Sequence, residues 1–407
     1  MNRPASHPRL RLHVAPAAER AIRSGHPWVF ADKIRDQNRP ATAGELAALF
    51  DRNDRFIAMG LFDPDSPIRV RIAHAGKPLE INRAFWAARL EAAIERRAGL
   101  FDARTTGYRL INGESDGWPG LVLDRYGDTL ALKIYTAAWL PRLDEVADLI
   151  QSKLSPQRLV LRLSRNIQPA ARKQFRLEDG SVLRGFPIKE TVTFLENGLH
   201  FEADVARGQK TGFFLDQRDN RRRVETLSEN RRVLNAFSFS GGFSLYAARG
   251  GAVSVTNLDI SAHALDAARR NLALNSQFGS PIDRCLHEFV QADALEWLHA
   301  ERRRRFDLVI LDPPSFAKKE NERAEALQAY ERLVSLGRAL LGPGGLVLAC
   351  SCSAHVNTQE FFTAARRGAA RNAGTFRELW TSTHAPDHPA TFPEANYLKA
   401  ICLRIDD

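Results

Sequence analysis

Sulfur is scarce in this chain: 407 residues hold four cysteines and two methionines. Four thiols over that length cannot form the dense bridge framework of a small secreted domain. No Cys/His group has the spacing of a metal site. No apolar run approaches the roughly 18 residues that span a bilayer. The start, "MNRPASHPRLRLHV", has basic residues but no apolar signal core. A G-x-G-x-x-G fingerprint is missing, as are internal repeats and low-complexity linkers. These gaps exclude a membrane-spanning helix and a disulfide scaffold, and point to a reducing, cytoplasmic setting.

Lysine is also rare. Of 58 basic residues only ten are Lys, leaving 48 Arg, and the net charge is +10. Arg forks match phosphate geometry and stack on bases. A surplus of this kind favours a polyanionic partner, nucleic acid first. The plainer reading is a solvated Arg-rich surface.

The length suggests two or three domains. Residues 1–75 carry short strand-like pieces such as "LRLHV", "RFIAMGLFD" and "PIRVRIAH", which predict a small all-β domain. Residues 76–195 mix strands with amphipathic helices, among them "INRAFWAARLEAAIERRAGLF" and "AAWLPRLDEVADLIQSKL". Residues 196–407 alternate strand and helix, which predicts an α/β domain on a doubly wound, Rossmann-like parallel sheet.

In such a sheet, ligands bind outside the carboxyl ends of the strands. The turn "NAFSFSGG" brings Phe237, Ser238, Gly241 and Gly242 to the first such end. Asp259 ends the next strand, where an acid can accept from two ribose hydroxyls. Asp293 ends the third and can accept from an adenine amine. Asp312 opens "DPPSF" at the end of the fourth. The Gly pair alone is only a turn. The ordered set of Gly turn, acid, acid and Asp-Pro-Pro points to an S-adenosylmethionine (AdoMet) transferase.

The acceptor atom is the next question. Asp-Pro-Pro-aromatic motifs serve amino-nitrogen methylation, but here Ser315 precedes Phe316, one place late for that pattern. Carbon methylation needs a thiolate, because pyrimidine C5 is a poor nucleophile until sulfur adds to C6. "ACSCS" places Cys350 and Cys352 at the tip of the strand after Asp-Pro-Pro. Asp312 is suited to hydrogen-bond the edge of a cytosine ring. Pro313, Pro314, Phe316 and Lys318 are the candidates on the substrate side. Cys350 also reads as a small core residue, and Cys285 and Cys402 as structural.

The chain resembles the bacterial ribosomal large-subunit RNA methyltransferase I family, which makes 5-methylcytosine in 23S rRNA. The resemblance runs over nearly the whole length, through "GHPWVF", "RLINGESDGWPGLVLDRYGD", "GQKTGFFLDQRDNR", "FSFSGGFSL", "LDPPSFAK", "SCS" and "DHPATFPEANYLK". It implies an N-terminal PUA RNA-binding barrel, a class I methyltransferase domain, AdoMet as cofactor and 23S rRNA as partner. It matches Ser351-Cys352-Ser353 to the family's nucleophile element, so Cys352 is the nucleophile and Cys350 a bystander. It also implies that residues 209–218 cover the cofactor, with Lys210, Thr211, Phe214 and Gln217 as candidates. Related cytosine enzymes carry a second cysteine for product release where this chain has Pro313, Pro314 and Ser315, so that step has no residue.

Two other functions stay open at this point: an rRNA methyltransferase acting on a guanine nitrogen, and a non-catalytic rRNA-binding assembly factor. The oligomeric state is open too, a homodimer being one option. The polar turn at Asn112, Glu114 and Asp116 reads as turn chemistry, and Trp28 as a core residue rather than a base-stacking one. The run Arg302–Arg305 is expected to close a helix, and reads equally as lining an RNA path.

Overall fold

The computed structural model describes residues 8–188, 190–301, 303–317, 319–371 and 375–406. The chain forms two compact units. The first comprises Met1–Asn197, Ala203–Phe213 and Asp387–Phe392; the second comprises Gly198–Glu202, Phe214–Pro386 and Pro393–Asp407.

Two sheets build the first unit. Six strands lie in the order Trp28–Phe30, Ile68–Ala75, Phe56–Phe62, Leu46–Phe50, Leu10–Val14, Ile34–Gln37. The alternation of "LRLHV" buries Leu10, Leu12 and Val14 on one face. A helix, Pro16–Arg23, interrupts this region, where sequence patterning suggested only strands. Pro16 at its first turn presets the backbone, and Ala18 and Ile22 bury one stripe. Five further strands lie in the order Val182–Gly185, Arg158–Leu163, Thr129–Ile134, Leu121–Tyr126, Gly107–Asn112. Their core is filled by Trp86, Trp118 and Trp139, with ring centroids 4.9, 5.1 and 5.7 Å apart.

Two later stretches return to this unit. Asn112 Nδ2 donates to Pro389 O at 2.8 Å. The Arg97 guanidinium spans both oxygens of Asp116, at 2.8 and 2.7 Å, and donates to Asp387 O at 2.7 Å. All three residues are buried, so the pair is shielded and its remaining donors are used. Trp28 is half-buried; its indole donates to Glu114 at 2.7 Å and its ring meets Phe392 edge-on.

The second unit holds a seven-stranded sheet. We label its strands β1 (Arg232–Ala236), β2 (Ser254–Asp259), β3 (Leu286–Gln291), β4 (Phe306–Leu311), β5 (Leu341–Ser351), β6 (Phe376–Ser382) and β7 (Lys399–Ile405). Their order is β3-β2-β1-β4-β5-β7-β6. β1 to β5 pair in parallel, and β7 runs antiparallel to β5 and β6. Between β1 and β4 the winding reverses, which opens the crevice where doubly wound sheets bind ligands. The longer helices are α1 (Arg218–Thr226), α2 (Gly242–Arg249), α3 (Ala262–Asn275), α4 (Ala294–Ala300), α5 (Arg323–Arg338) and α6 (Thr358–Ala369), with a single turn at Pro281–Arg284. Ser261 caps α3, and Asn357 with Glu360 forms a capping box on α6. α6 approaches α5 so closely that a Cβ on Gly368 would lie 2.4 Å from Glu331 O.

One helix is shorter than expected. α4 stops at Ala300, because the Glu301 side chain accepts from the backbone N–H of Arg303 and Arg304 at 2.8 and 3.0 Å. Arg303–Arg305 therefore follow the helix rather than close it, and Arg302 lies outside the described residues. Among the described residues no helix is long and apolar enough to cross a membrane.

Candidate active site

The turn after β1 departs most from ordinary backbone geometry. Phe237, Phe239 and Gly241 have φ of 62°, 47° and 76°. Left-handed backbone costs a residue with a Cβ roughly 1–2 kcal/mol, so the two phenylalanines need outside support. Asp259, at the end of β2, supplies it. One carboxylate oxygen accepts from Phe239 N at 2.8 Å and the other from Ser261 N at 2.9 Å. Asn271 adds a bond from Nδ2 to Ser240 O at 2.8 Å. Phe237 packs on the sheet core, and Phe239 meets Phe214 edge-on at 5.0 Å.

This turn leaves several polar groups available. The hydroxyls of Ser238 and Ser240 are buried and have no hydrogen-bond partner among the described residues. Gly241 and Gly242 begin α2 with no side-chain cap, so its first N–H groups face outward. Asp259 keeps a second lone pair on each oxygen. Asp293 is exposed and caps α4 through one oxygen, bonded to Glu296 N at 3.0 Å. Ile260 is 68% exposed directly after Asp259. Sequence reading passed over it, although a large apolar residue following a strand-end acid was the available signal.

A second cluster sits where β4 and β5 end side by side, with Leu311 paired to Ala349. Asp312 Oδ1 accepts from Gln217 Nε2 at 3.0 Å. Gln217 in turn accepts from Asn220 at 2.6 Å, and Asn220 accepts from Ser382 at 2.5 Å. Gln217, a cofactor candidate by resemblance, therefore fixes the Asp312 carboxylate. Pro313 is buried and Pro314 exposed. Phe316 packs on Tyr330 at 4.8 Å, and the Tyr330 hydroxyl accepts from Ser351 at 2.9 Å. Ser353 donates to Ala317 O at 3.1 Å. These bonds tie the loop after β4 to the tip of β5. Lys318 lies outside the described residues.

The two cysteines of "ACSCS" part company here. Cys350 is buried, and burial, then the Asp312 charge, push its thiol well above the ordinary range. It stays protonated and inert. Cys352 is half-buried, with Sγ 3.9 Å from Pro313 O. Its neighbour Lys399 escaped the sequence reading. This lysine opens β7 opposite Ser351, is fully buried, and donates to Ser353 O at 2.5 Å and Val356 O at 2.6 Å. Burial lowers its pKa to about 8, against the opposing pull of Cys352 and Glu360. A lone Lys at the head of the apolar run "KAICLRI", opposite the cysteine strand, was the signal.

Thr211 belongs to the first unit. Its hydroxyl is buried between Asp124, at 2.6 Å, and the Tyr126 hydroxyl, at 2.9 Å. Lys210 is there too, its carbonyl accepting from Lys133 Nζ at 3.1 Å. Cys285 and Cys402 are buried, and burial lifts their thiols to about 11 and about 12. Among the described residues no cluster could hold a metal ion.

The second unit thus offers a strained backbone turn with orphaned hydroxyls, an acid beside it, and a carboxylate and a thiol at adjacent strand ends. Comparison with known proteins fits this layout. The family model for S-adenosylmethionine-dependent methyltransferases matches residues 168–404, and that for PUA-like domains matches residues 12–74. A ribosomal RNA large subunit methyltransferase of Deinococcus radiodurans is 54% identical over 414 residues, covering 100% of each chain. The chain belongs to this methyltransferase family. A ribosomal RNA large subunit methyltransferase I of Aliivibrio fischeri is 34% identical, covering 97% of this chain and 99% of its own. In fold, the methyltransferase is similar to a SAM-dependent methyltransferase from Streptococcus mutans, at TM-score 0.81 and 21% identity over 97% of this chain and 99% of that one. A second solved methyltransferase, complexed with SAH, matches at TM-score 0.81 and 22% identity over the same shares. AdoMet is the cofactor of the family, and the buried hydroxyls of Ser238 and Ser240 fit a polar ligand of that kind.

Proposed function

We propose that this methyltransferase adds a methyl group to C5 of a cytosine in large-subunit (23S) rRNA, through a covalent adduct between Cys352 and C6. The observation that carries the reading is the half-buried Cys352 thiol, with Sγ 3.9 Å from Pro313 O, at the tip of the strand beside Asp312. The printed names of the full-length relatives support large-subunit rRNA as substrate, and a net charge of +10 suits a polyanion.

The chemistry follows from the residues. The Cys352 thiolate adds to C6, and the ring's electron pair shifts to C5. AdoMet supplies the methyl group as an electrophile. Asp312, oriented by Gln217, hydrogen-bonds the ring edge and favours a proton on ring N3, which offsets the negative charge that thiolate addition brings. Water then takes the C5 proton, the C–H electron pair re-forms the C5–C6 double bond, and the Sγ–C6 bond breaks to free the thiolate. The turn Phe237–Gly242, with Ser238, Asp259 and Phe214, holds the cofactor, and Asp293 and Ile260 flank it. Pro313, Pro314 and Phe316 shape the base side. We assign RNA binding to residues 1–75, keep 76–195 as a middle part and 196–407 as the catalytic part.

The test replaces Cys352 with Ala and identifies the methylated nucleoside in 23S rRNA by mass spectrometry. The reading expects 5-methylcytosine with the native protein and none with Cys352→Ala, while AdoMet still binds. Retained methylation would overturn the thiolate step. A methylated guanine would favour nitrogen chemistry.

A further inference from the structure

Lys399 has no part in the chemistry above, yet its placement is costly. A buried ammonium loses much of its hydration unless it is paired or well bonded. Here the strand register sets it opposite Ser351, one residue before the nucleophile. Its head reaches past the strand end and donates to the carbonyls of Ser353 and Val356. Those two carbonyls bracket the turn that leaves Cys352. A lysine that only filled space would be replaced by an apolar side chain at no loss.

We propose that Lys399 is the positioning residue for Cys352: its ammonium clamps the turn behind the nucleophile and its charge holds the sulfur in the reactive thiolate form. This rests on Cys352 being the nucleophile. Charges facing the pair come from several elements. Besides burial, Asp312, just after β4, and Cys352 both raise the pKa of the neighbouring Cys350 and Tyr330, which stay neutral. Glu360 at the start of α6 attracts the ammonium, but an ion pair with Arg323 already engages it. Lys399 is thus a buried cation whose charge is coupled to Cys352. An adjacent cation favours a thiolate by about 1–3 pH units. The lowered pKa of Lys399 further implies that the clamp weakens as pH rises through about 8.

The experiment measures the rate of Cys352 alkylation by iodoacetamide against pH in the full chain, with peptide mapping to assign the thiol. Three proteins are compared: native, Lys399→Met and Lys399→Gln. The Gln side chain keeps hydrogen-bond donors without charge; Met keeps neither. The midpoint is expected to rise by about one unit or more in both variants, with thiolate at pH 7 falling about tenfold. Methylation kcat falls in parallel, and KM for RNA changes less than threefold. AdoMet binding checks that each variant is folded. If Lys399→Gln binds AdoMet and its alkylation midpoint matches the native one, the proposal is overturned. A shifted midpoint combined with full methylation by Cys352→Ala would instead sink the thiolate mechanism and leave the Lys399–Cys352 coupling standing.

Discussion

Replacing Gly241 with Ala should loosen the cofactor turn, and the structure gives the size of the effect. Gly241 has φ of 76°, where a Cβ costs about 1 kcal/mol or somewhat more. The new methyl would also lie 2.9 Å from Ala268 Cβ and 3.3 Å from Ala268 Cα. Ala268 sits in the middle of α3, fully buried, so its backbone cannot retreat cheaply. Overpacking of this kind costs about 1–3 kcal/mol. Together the two effects amount to roughly 2–4 kcal/mol, or about 5–12 °C in the melting temperature of a domain this size. Because the residue opens α2 at the turn, AdoMet affinity should fall at least about tenfold, equivalent to about 1.4 kcal/mol. Thermal melting with and without S-adenosylhomocysteine, and calorimetric titration of AdoMet, measure both. A variant that melts within about 2 °C of native and binds AdoMet equally well would refute the claim that this turn is held tightly for its ligand.

Other expectations follow from individual contacts. In Asp259→Asn, either Phe239 N or Ser261 N must face an amide NH₂ instead of a carboxylate oxygen. Leaving one donor unsatisfied costs about 1–3 kcal/mol, and AdoMet titration should show a matching rise in Kd. His287 predicts a pH effect. Burial lowers its pKa from 6.5 to about 4, and neither ring nitrogen has a partner among the described residues. The folded state holds it neutral, while the unfolded chain takes up a proton near 6.5. Its contribution is therefore intact above pH 6.5 and is lost as pH falls toward 4, by at most about 3 kcal/mol. Replacing it with Leu should flatten the melting temperature over that window. An unchanged pH profile would contradict the assignment.

The candidate residues whose positions were legible in the sequence lie at or just past strand ends. Asp259, Asp312 and Cys352 were placed by counting strands and applying the rule that ligands gather at carboxyl ends. The Gly turn was visible from the adjacent Gly241 and Gly242 between a strand and a helix, whereas the positive φ of Phe237 and Phe239 was not. What the sequence did not show is the set of contacts that residues make across long stretches of chain. Gln217 precedes β1 by many residues, and only the folded chain brings it to Asp312. Thr211 and Pro389 bond to Asp124 and Asn112 in the first unit, and no local pattern encodes such returns. Lys399 went unnoticed because strand alternation treats a lysine as solvent-facing, whereas here two backbone carbonyls satisfy its buried head. The early end of α4 has a local cause, the Glu301 side chain capping the turn, which a run of arginines masks.

The central claim is the covalent step at Cys352, and one measurement addresses it directly. A 23S rRNA substrate carrying 5-fluorocytidine has no C5 proton to lose, so the adduct should persist after methyl transfer. Incubation with AdoMet and the protein, followed by digestion and mass spectrometry, should yield a peptide bearing a methylated fluorocytidine on Cys352 and on no other cysteine. Methylated RNA with no protein–RNA adduct, or an adduct on Cys350, would contradict the account.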